Sequence, residues 1–90
     1  MKIIKDVKFH RQLFGILLYI AKDKKSAAKK FEKVLESEIQ GLVDFPFRCR
    51  KSIYFEDEAY RDLIYSGYTV IYKVQDDTIL ILEIFKWQNR

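Results

Sequence analysis

Between residues 48 and 58 the chain reads RCRKSIYFEDE: a basic cluster of Arg48, Arg50 and Lys51, then an acidic one of Glu56, Asp57 and Glu58. Guanidinium and ammonium groups on a loop suit contact with carboxylates or phosphates, and loops are where recognition residues concentrate. A solvated, purely structural loop is the competing reading. The three carboxylates raise the question of a cation. Hard cations need oxygens presented around a defined loop, and neither such a loop nor a His/Cys partner set accompanies them. No metal site and no cofactor is expected. Cys49 has no histidine near it in sequence to take its proton, which argues against a nucleophile. His10, beside Arg11, reads as an exposed helix residue. Most of the six tyrosines alternate along strand-like stretches as sheet packing, with Tyr65 and Tyr68 the two best placed for chemistry.

The rest of the chain must position these groups. Ninety residues make one domain, residues 1–90, and a chain this short buries about 60–65% of its unfolded surface, so its core is thin. An apolar share of 49% and an aromatic share of 16% are ample for a globule and exclude intrinsic disorder. Seventeen basic against thirteen acidic residues, net +4, favour an acidic partner, either nucleic acid or protein. The single cysteine excludes an intramolecular disulfide and fits a reducing cytoplasm, the expected location. The longest apolar run, Leu13 to Ala21, is far below the roughly 18–20 residues of a membrane span. It also starts too late, and lacks the cleavage site, for a secretory leader.

Lys2–Val7 reads as a first strand and Lys8–Lys22 as a helix, with Phe9, Leu13, Ile16, Leu17 and Ile20 on one face. The polar link KDKKS, with Ser26 as N-cap, leads to a second helix over Ala27–Val43, whose stripe is Ala28, Phe31, Leu35, Ile39 and Leu42. The two should pack as an antiparallel hairpin. Pro46 ends the helical region. From Tyr60 the period becomes two, and three strands follow, joined by turns at Ser66-Gly67 and Asp76-Asp77. The order is β-α-α-β-β-β. This predicts an α+β fold: a helical hairpin on one face of an antiparallel sheet, the first strand joining it.

Alternation assigns the faces. Val70, Tyr72 and Val74 should lie under the helices, with Thr69, Ile71 and Lys73 opposite. In the last strand Leu80, Leu82 and Ile84 should be helix-side, and Ile79, Ile81, Glu83 and Phe85 opposite. Both helices lie in one connection, so the second face is expected to be open. Ile71, Ile79, Ile81 and Phe85 on an uncovered face would form a binding surface.

The element order, the segment LVDFPFRCR after the second helix, and YRDLIYSGYTVIYKVQDDTILILEIF over residues 60–85 resemble the RelE/ParE superfamily of bacterial toxins. The most specific piece runs from Arg61 to Ile84, with Arg61, Leu63, Gly67, Tyr68, Tyr72 and Lys73 at its characteristic spacings. The resemblance implies the toxin of a type II toxin–antitoxin module, such as serve plasmid stabilisation and growth inhibition. It also implies a hetero-oligomer with an acidic, amphipathic antitoxin. Ile71, Ile79, Ile81, Phe85 and Trp87 are the expected antitoxin contacts, and Arg48, Arg50, Lys51 and Arg61 the expected contacts to a target or to nucleic acid.

Two branches then compete. RelE-like members cleave messenger RNA on the ribosome, which requires groups that activate the 2′-hydroxyl, neutralise the phosphate and protonate the leaving oxygen. Candidates here are Arg61, Lys73, Lys86, Arg90 and Tyr68. Yet Thr69 stands where such nucleases commonly carry an arginine, and Lys86 lacks arginine's fork. The sequence also stops at Arg90, before the place of their terminal acid–base residue. ParE-like members act on DNA gyrase by binding, and this chain resembles them more closely. The alternatives are an altered ribosome-dependent endoribonuclease and a non-toxic antitoxin-binding relic.

Overall fold

The computed structural model describes residues 1–86, so Trp87 and Arg90 lie outside the described residues. Strand β1 (Lys2–Lys5) leads into helices α1 (Val7–Asp23) and α2 (Lys25–Gln40) and a 3-10 turn at Gly41–Val43. The strands β2 (Arg50–Lys51), β3 (Tyr60–Tyr65), β4 (Tyr68–Gln75) and β5 (Thr78–Lys86) follow. The five strands form one sheet in the order β1-β5-β4-β3-β2. The pairs β2–β3, β3–β4 and β4–β5 are antiparallel, while β1 joins the far edge parallel to β5. The architecture is therefore the expected α+β one, with β2 as an unforeseen two-residue edge strand.

The local reasons are short-range. Asp6 alone separates β1 from α1; its carboxylate accepts from the Lys8 N–H at 2.8 Å, capping the helix, and its own N–H donates to the Ile81 carbonyl at 2.8 Å. The helix–helix link is shorter than the sequence suggests. Lys24 alone connects α1 to α2, in an extended conformation, and Ser26 lies inside the first turn of α2 instead of capping it. Backbone replaces the missing side-chain cap: the Lys24 N–H closes α1 on the Ile20 carbonyl, and its carbonyl accepts from Ala27 and Ala28 at 3.1 and 3.3 Å. At the β3–β4 hairpin Ser66 and Gly67 both take positive φ (52° and 82°), the geometry that matches the twist of the flanking strands.

Both helical stripes face the sheet as their periodicity demands. Phe9, Phe31, Leu35, Ile39 and Leu42 are buried with Leu63, Val70 and Tyr72, and Leu13, Ile16, Leu17 and Ile20 pack against them. The last strand departs from simple alternation. Ile71 pairs with Glu83, but Tyr72 pairs with Ile81, so Leu82 is an extra residue: a β-bulge. The bulge exchanges the faces of everything before it. Ile79 and Ile81 are fully buried in the helix-side core, whereas Leu80, opposite Lys73, belongs to the other face. The assignment of Ile79 and Ile81 to the second face, and of Leu80 and Leu82 to the core, is corrected accordingly. Beyond the bulge, Ile84 is helix-side and Phe85 opposite, as alternation predicts.

Candidate functional site

The second face is covered over its centre, although Ile64 at one end of it stays half exposed. Ile71 and Thr69 are fully buried on it and Phe85 nearly so. The irregular segment 52–59 folds across that face. Tyr54 meets the Phe85 ring edge-on with centroids 5.4 Å apart, and Phe55 stacks on Tyr60 at 4.2 Å. Lys73 extends over the Tyr60 ring at 5.2 Å, a cation–π contact on a strand that otherwise packs apolar groups. The expected antitoxin contacts Ile71, Ile79, Ile81 and Phe85 are thus core residues of two different layers, and none of them presents an open surface in this conformation.

Asp62 latches that strap. Its side chain is fully buried on β3, facing away from the helices, opposite Ile71. One carboxylate oxygen accepts from the Ile53 N–H at 3.1 Å and from the Arg50 guanidinium at 3.3 Å. The other has no hydrogen-bond partner among the described residues. Ser52 supports the same turn, donating its N–H to the Tyr60 carbonyl and accepting from the Tyr54 N–H. A burial this complete requires the carboxylate's charge to be offset locally, and Arg50 supplies that.

The expected target contacts are therefore partly engaged inside the fold. Arg48 donates to the Glu38 carbonyl at 3.1 Å and stands 3.8 Å from the Glu38 carboxylate. Arg61 donates to the carbonyls of Glu58 and Cys49 at 2.9 and 3.2 Å and lies over the Phe47 ring at 4.8 Å. Its partner at Glu58 is the backbone carbonyl, not the side chain. Lys51, on β2 opposite Arg61, is exposed. Beside this cluster the Tyr72 hydroxyl donates to the Pro46 carbonyl at 2.7 Å. Burial pushes that phenol well above its ordinary value, and the neighbouring Cys49 adds to the shift. Tyr72 and Cys49 thus serve the packing of the Phe45–Cys49 segment. His10 is exposed on α1. Among the described residues no group of three or more His, Cys, Asp or Glu side chains is arranged to hold a metal ion.

Among the described residues, the nuclease candidates Arg61, Tyr68, Lys73 and Lys86 do not converge. Tyr68 and Lys86 face each other across the β4–β5 ladder, on the helix side at one end of the sheet. Tyr68 packs edge-on against Phe31 at 5.3 Å. Lys73 lies five residues along β4 from Tyr68, roughly 17 Å at about 3.4 Å per residue, and on the opposite face. Arg61 is paired with Tyr72, four residues from Tyr68, and is held by the contacts just described. Thr69 is buried on the strap side, its hydroxyl without a hydrogen-bond partner among the described residues.

Where Tyr68 and Lys86 do meet, a groove of about 530 Å³ opens, lined also by Gln12, Ile16, Tyr19 and Ile84. Gln12 fixes its floor by accepting from the Ile84 N–H at 2.8 Å, just past the bulge. Next to it, α1 carries a second apolar stripe on its solvent side: Val7, Phe14 and Leu18 are 68%, 64% and 53% exposed, at i, i+7 and i+11. Tyr19 adjoins it. The sequence holds that signal, but the stronger core-facing stripe of the same helix obscures it. The edge strand β1 is tied to α2 by Lys5, which pairs with Glu36 at 2.6 Å. Burial alone would raise the Glu36 carboxyl, but hydrogen bonds from Lys5 and Gln40 outweigh it and hold that group below its ordinary value.

No helix among the described residues is long and apolar enough to cross a membrane. The family model described as the ParE toxin of the type II toxin–antitoxin system parDE matches residues 3–88. Among solved structures, a chain of the chromosomal ParDE TA system from P. aeruginosa shares the fold with a TM-score of 0.78 at 20% identity, over 96% of this chain and 95% of that one. No curated protein matches the chain.

Proposed function

The chain belongs to the ParE toxin family of type II toxin–antitoxin systems, and from that premise we propose that it inhibits growth by binding DNA gyrase, without hydrolysing RNA itself. The observation that supports this reading is the dispersal of the basic and tyrosine candidates. Phosphodiester cleavage needs a base, a charge-neutralising cation and an acid within hydrogen-bond reach of one phosphate. Here Arg61 and Lys73 sit at the far end of the sheet from Tyr68 and Lys86, and on opposite faces from each other. The exposed cations instead suit recognition of a partner surface.

An acidic antitoxin is the second partner. Its amphipathic segment is proposed to lie along the Val7–Phe14–Leu18 stripe and in the groove beside Tyr19, Tyr68 and Lys86, where apolar side chains stand next to an exposed ammonium group. That arrangement fits an amphipathic helix read through i and i+4 anchors, with carboxylates at its rim.

Inducible expression without antitoxin separates the readings. The expected outcome is gyrase-linked DNA breaks and SOS induction while messenger RNA 5′ ends stay unchanged. New cleavage sites inside translated codons, abolished by Lys86→Ala or Tyr68→Phe, would overturn the binding mechanism.

A further inference from the structure

The charge of this protein is concentrated in one place. Residues 22–33, the end of α1 and the start of α2, hold Lys22, Lys24, Lys25, Lys29, Lys30 and Lys33 against Asp23 and Glu32. Their local net charge of +4 equals that of the whole chain, so the remainder is balanced. All six lysines are exposed, and none joins an ion pair among the described residues, although Lys5, Lys8, Arg48 and Arg50 all do. The single-residue link at Lys24 gathers Lys22, Lys24 and Lys25 at one end of the hairpin, because α1 ends and α2 begins with no intervening loop to spread them, and Lys29, Lys30 and Lys33 continue the basic surface along α2. On α2, Lys25, Lys29 and Lys33 recur every four residues, along one face in steps of roughly 6 Å.

Aromatic groups flank this tip. A cleft of about 340 Å³ runs between Lys30 and Ala27 on α2 and Tyr65, Ser66 and Tyr68 at the β3–β4 turn. Tyr65 and Tyr68 both lean on the buried Phe31 ring, at 5.2 and 5.3 Å, which holds them beside Lys30. Tyr19, largely exposed, borders the other side with Lys22.

We propose that the α1–α2 tip is a sequence-independent docking surface for the phosphate backbone of nucleic acid. Lysine is a compact point charge on a flexible stem, suited to phosphates at variable positions and without the planar fork that selects carboxylates in pairs. Unpaired cations beside tyrosine rings are the combination that tracks a charged backbone while tolerating any base. The surface lies apart from the Asp62 latch and requires nothing of the gyrase reading.

The test is fluorescence anisotropy of the full chain with labelled 20-mers, one of duplex DNA and one of single-stranded RNA, from low to physiological salt. The triple variant Lys25→Gln, Lys29→Gln, Lys30→Gln removes three exposed tip charges. The charge-matched control is Lys2→Gln, Lys8→Gln, Arg11→Gln. Circular dichroism verifies that both remain folded. The tip variant is expected to lose at least about tenfold in affinity and to flatten the log–log salt slope by about three, roughly one per lysine. The control should change affinity less than about threefold. The DNA and RNA arms identify the source of the backbone. Equal losses in both variants, or no binding of either nucleic acid at low salt, would overturn the proposal. So would binding of poly-glutamate as tight as that of nucleic acid.

Discussion

Replacing Arg50 by Gln should destabilise the protein through Asp62, not through any contact to a target. The Asp62 carboxylate is fully buried, one oxygen has no partner among the described residues, and the other depends on Arg50 and the Ile53 N–H. Removing the guanidinium leaves a buried charge with a single backbone donor. Stranding a buried charge costs about 3–5 kcal/mol where the partner is fully enclosed. Arg50 is half exposed, and water can reach the site once it is shortened, so about 2 kcal/mol is expected. For a domain of this size that corresponds to roughly 8–16 °C in Tm. Asp62→Asn removes the charge but keeps an acceptor for the Ile53 N–H, and should cost about 1 kcal/mol. In the double variant the charge that Arg50 offsets is gone, so its cost should fall short of the sum of the single costs by at least about 1 kcal/mol. Chemical denaturation of the four proteins closes the cycle. Additivity within about 0.5 kcal/mol, with Arg50→Gln itself near neutral, would refute the latch.

Three further outcomes follow from the same contacts. Gln12→Leu deprives the Ile84 N–H of its acceptor beside the bulge and should cost about 1–3 kcal/mol in urea denaturation, whereas Gln12→Glu, which keeps an acceptor, should cost less. Leu18→Asp on the exposed stripe of α1 should leave Tm within about 2 °C while weakening antitoxin binding at least tenfold by calorimetry; an unchanged affinity would remove the antitoxin from that face. The Glu36 carboxyl titrates below its ordinary 4.5 because of Lys5 and Gln40, so its contribution is present above pH 4.5 and fades as pH falls through the folded-state value. The Tm gap between the parent and Glu36→Gln should accordingly be widest at neutral pH and close on acidification.

Much of the fold is legible in the sequence because it follows local periodicity. The stripes Phe9–Leu13–Ile16–Leu17–Ile20 and Ala28–Phe31–Leu35–Ile39–Leu42 are at helical spacing and are packed as that spacing requires. The turns at Ser66-Gly67 and Asp76-Asp77 carry positive φ at Ser66, Gly67 and Asp76. The bulge at Leu82 is different. TILILEIF is apolar throughout, so no polar residue marks where the alternation slips, and Glu83 fixes the face only of the residues beyond it. The strap over the second face is equally hidden. Segment 52–59 has no period, and its anchor is Asp62, a carboxylate whose burial is set by Arg50, ten or more residues away in sequence. Long-range pairing of that kind leaves no local signature. The same event displaced the candidate site: once Ile71 and Phe85 are covered and Ile79 and Ile81 are in the core, exposed apolar surface beside a groove remains on the outer stripe of α1 and, at Ile53 and Ile64, beside the strap.

The most direct measurement of the central claim uses the purified chain with gyrase, relaxed plasmid and ATP, in parallel with translating ribosomes on a defined message. A binding toxin should block supercoiling or trap cleaved plasmid at near-stoichiometric amounts, be reversed by its antitoxin, and leave the message intact. Undisturbed supercoiling together with codon-positioned cuts in the message would contradict the account.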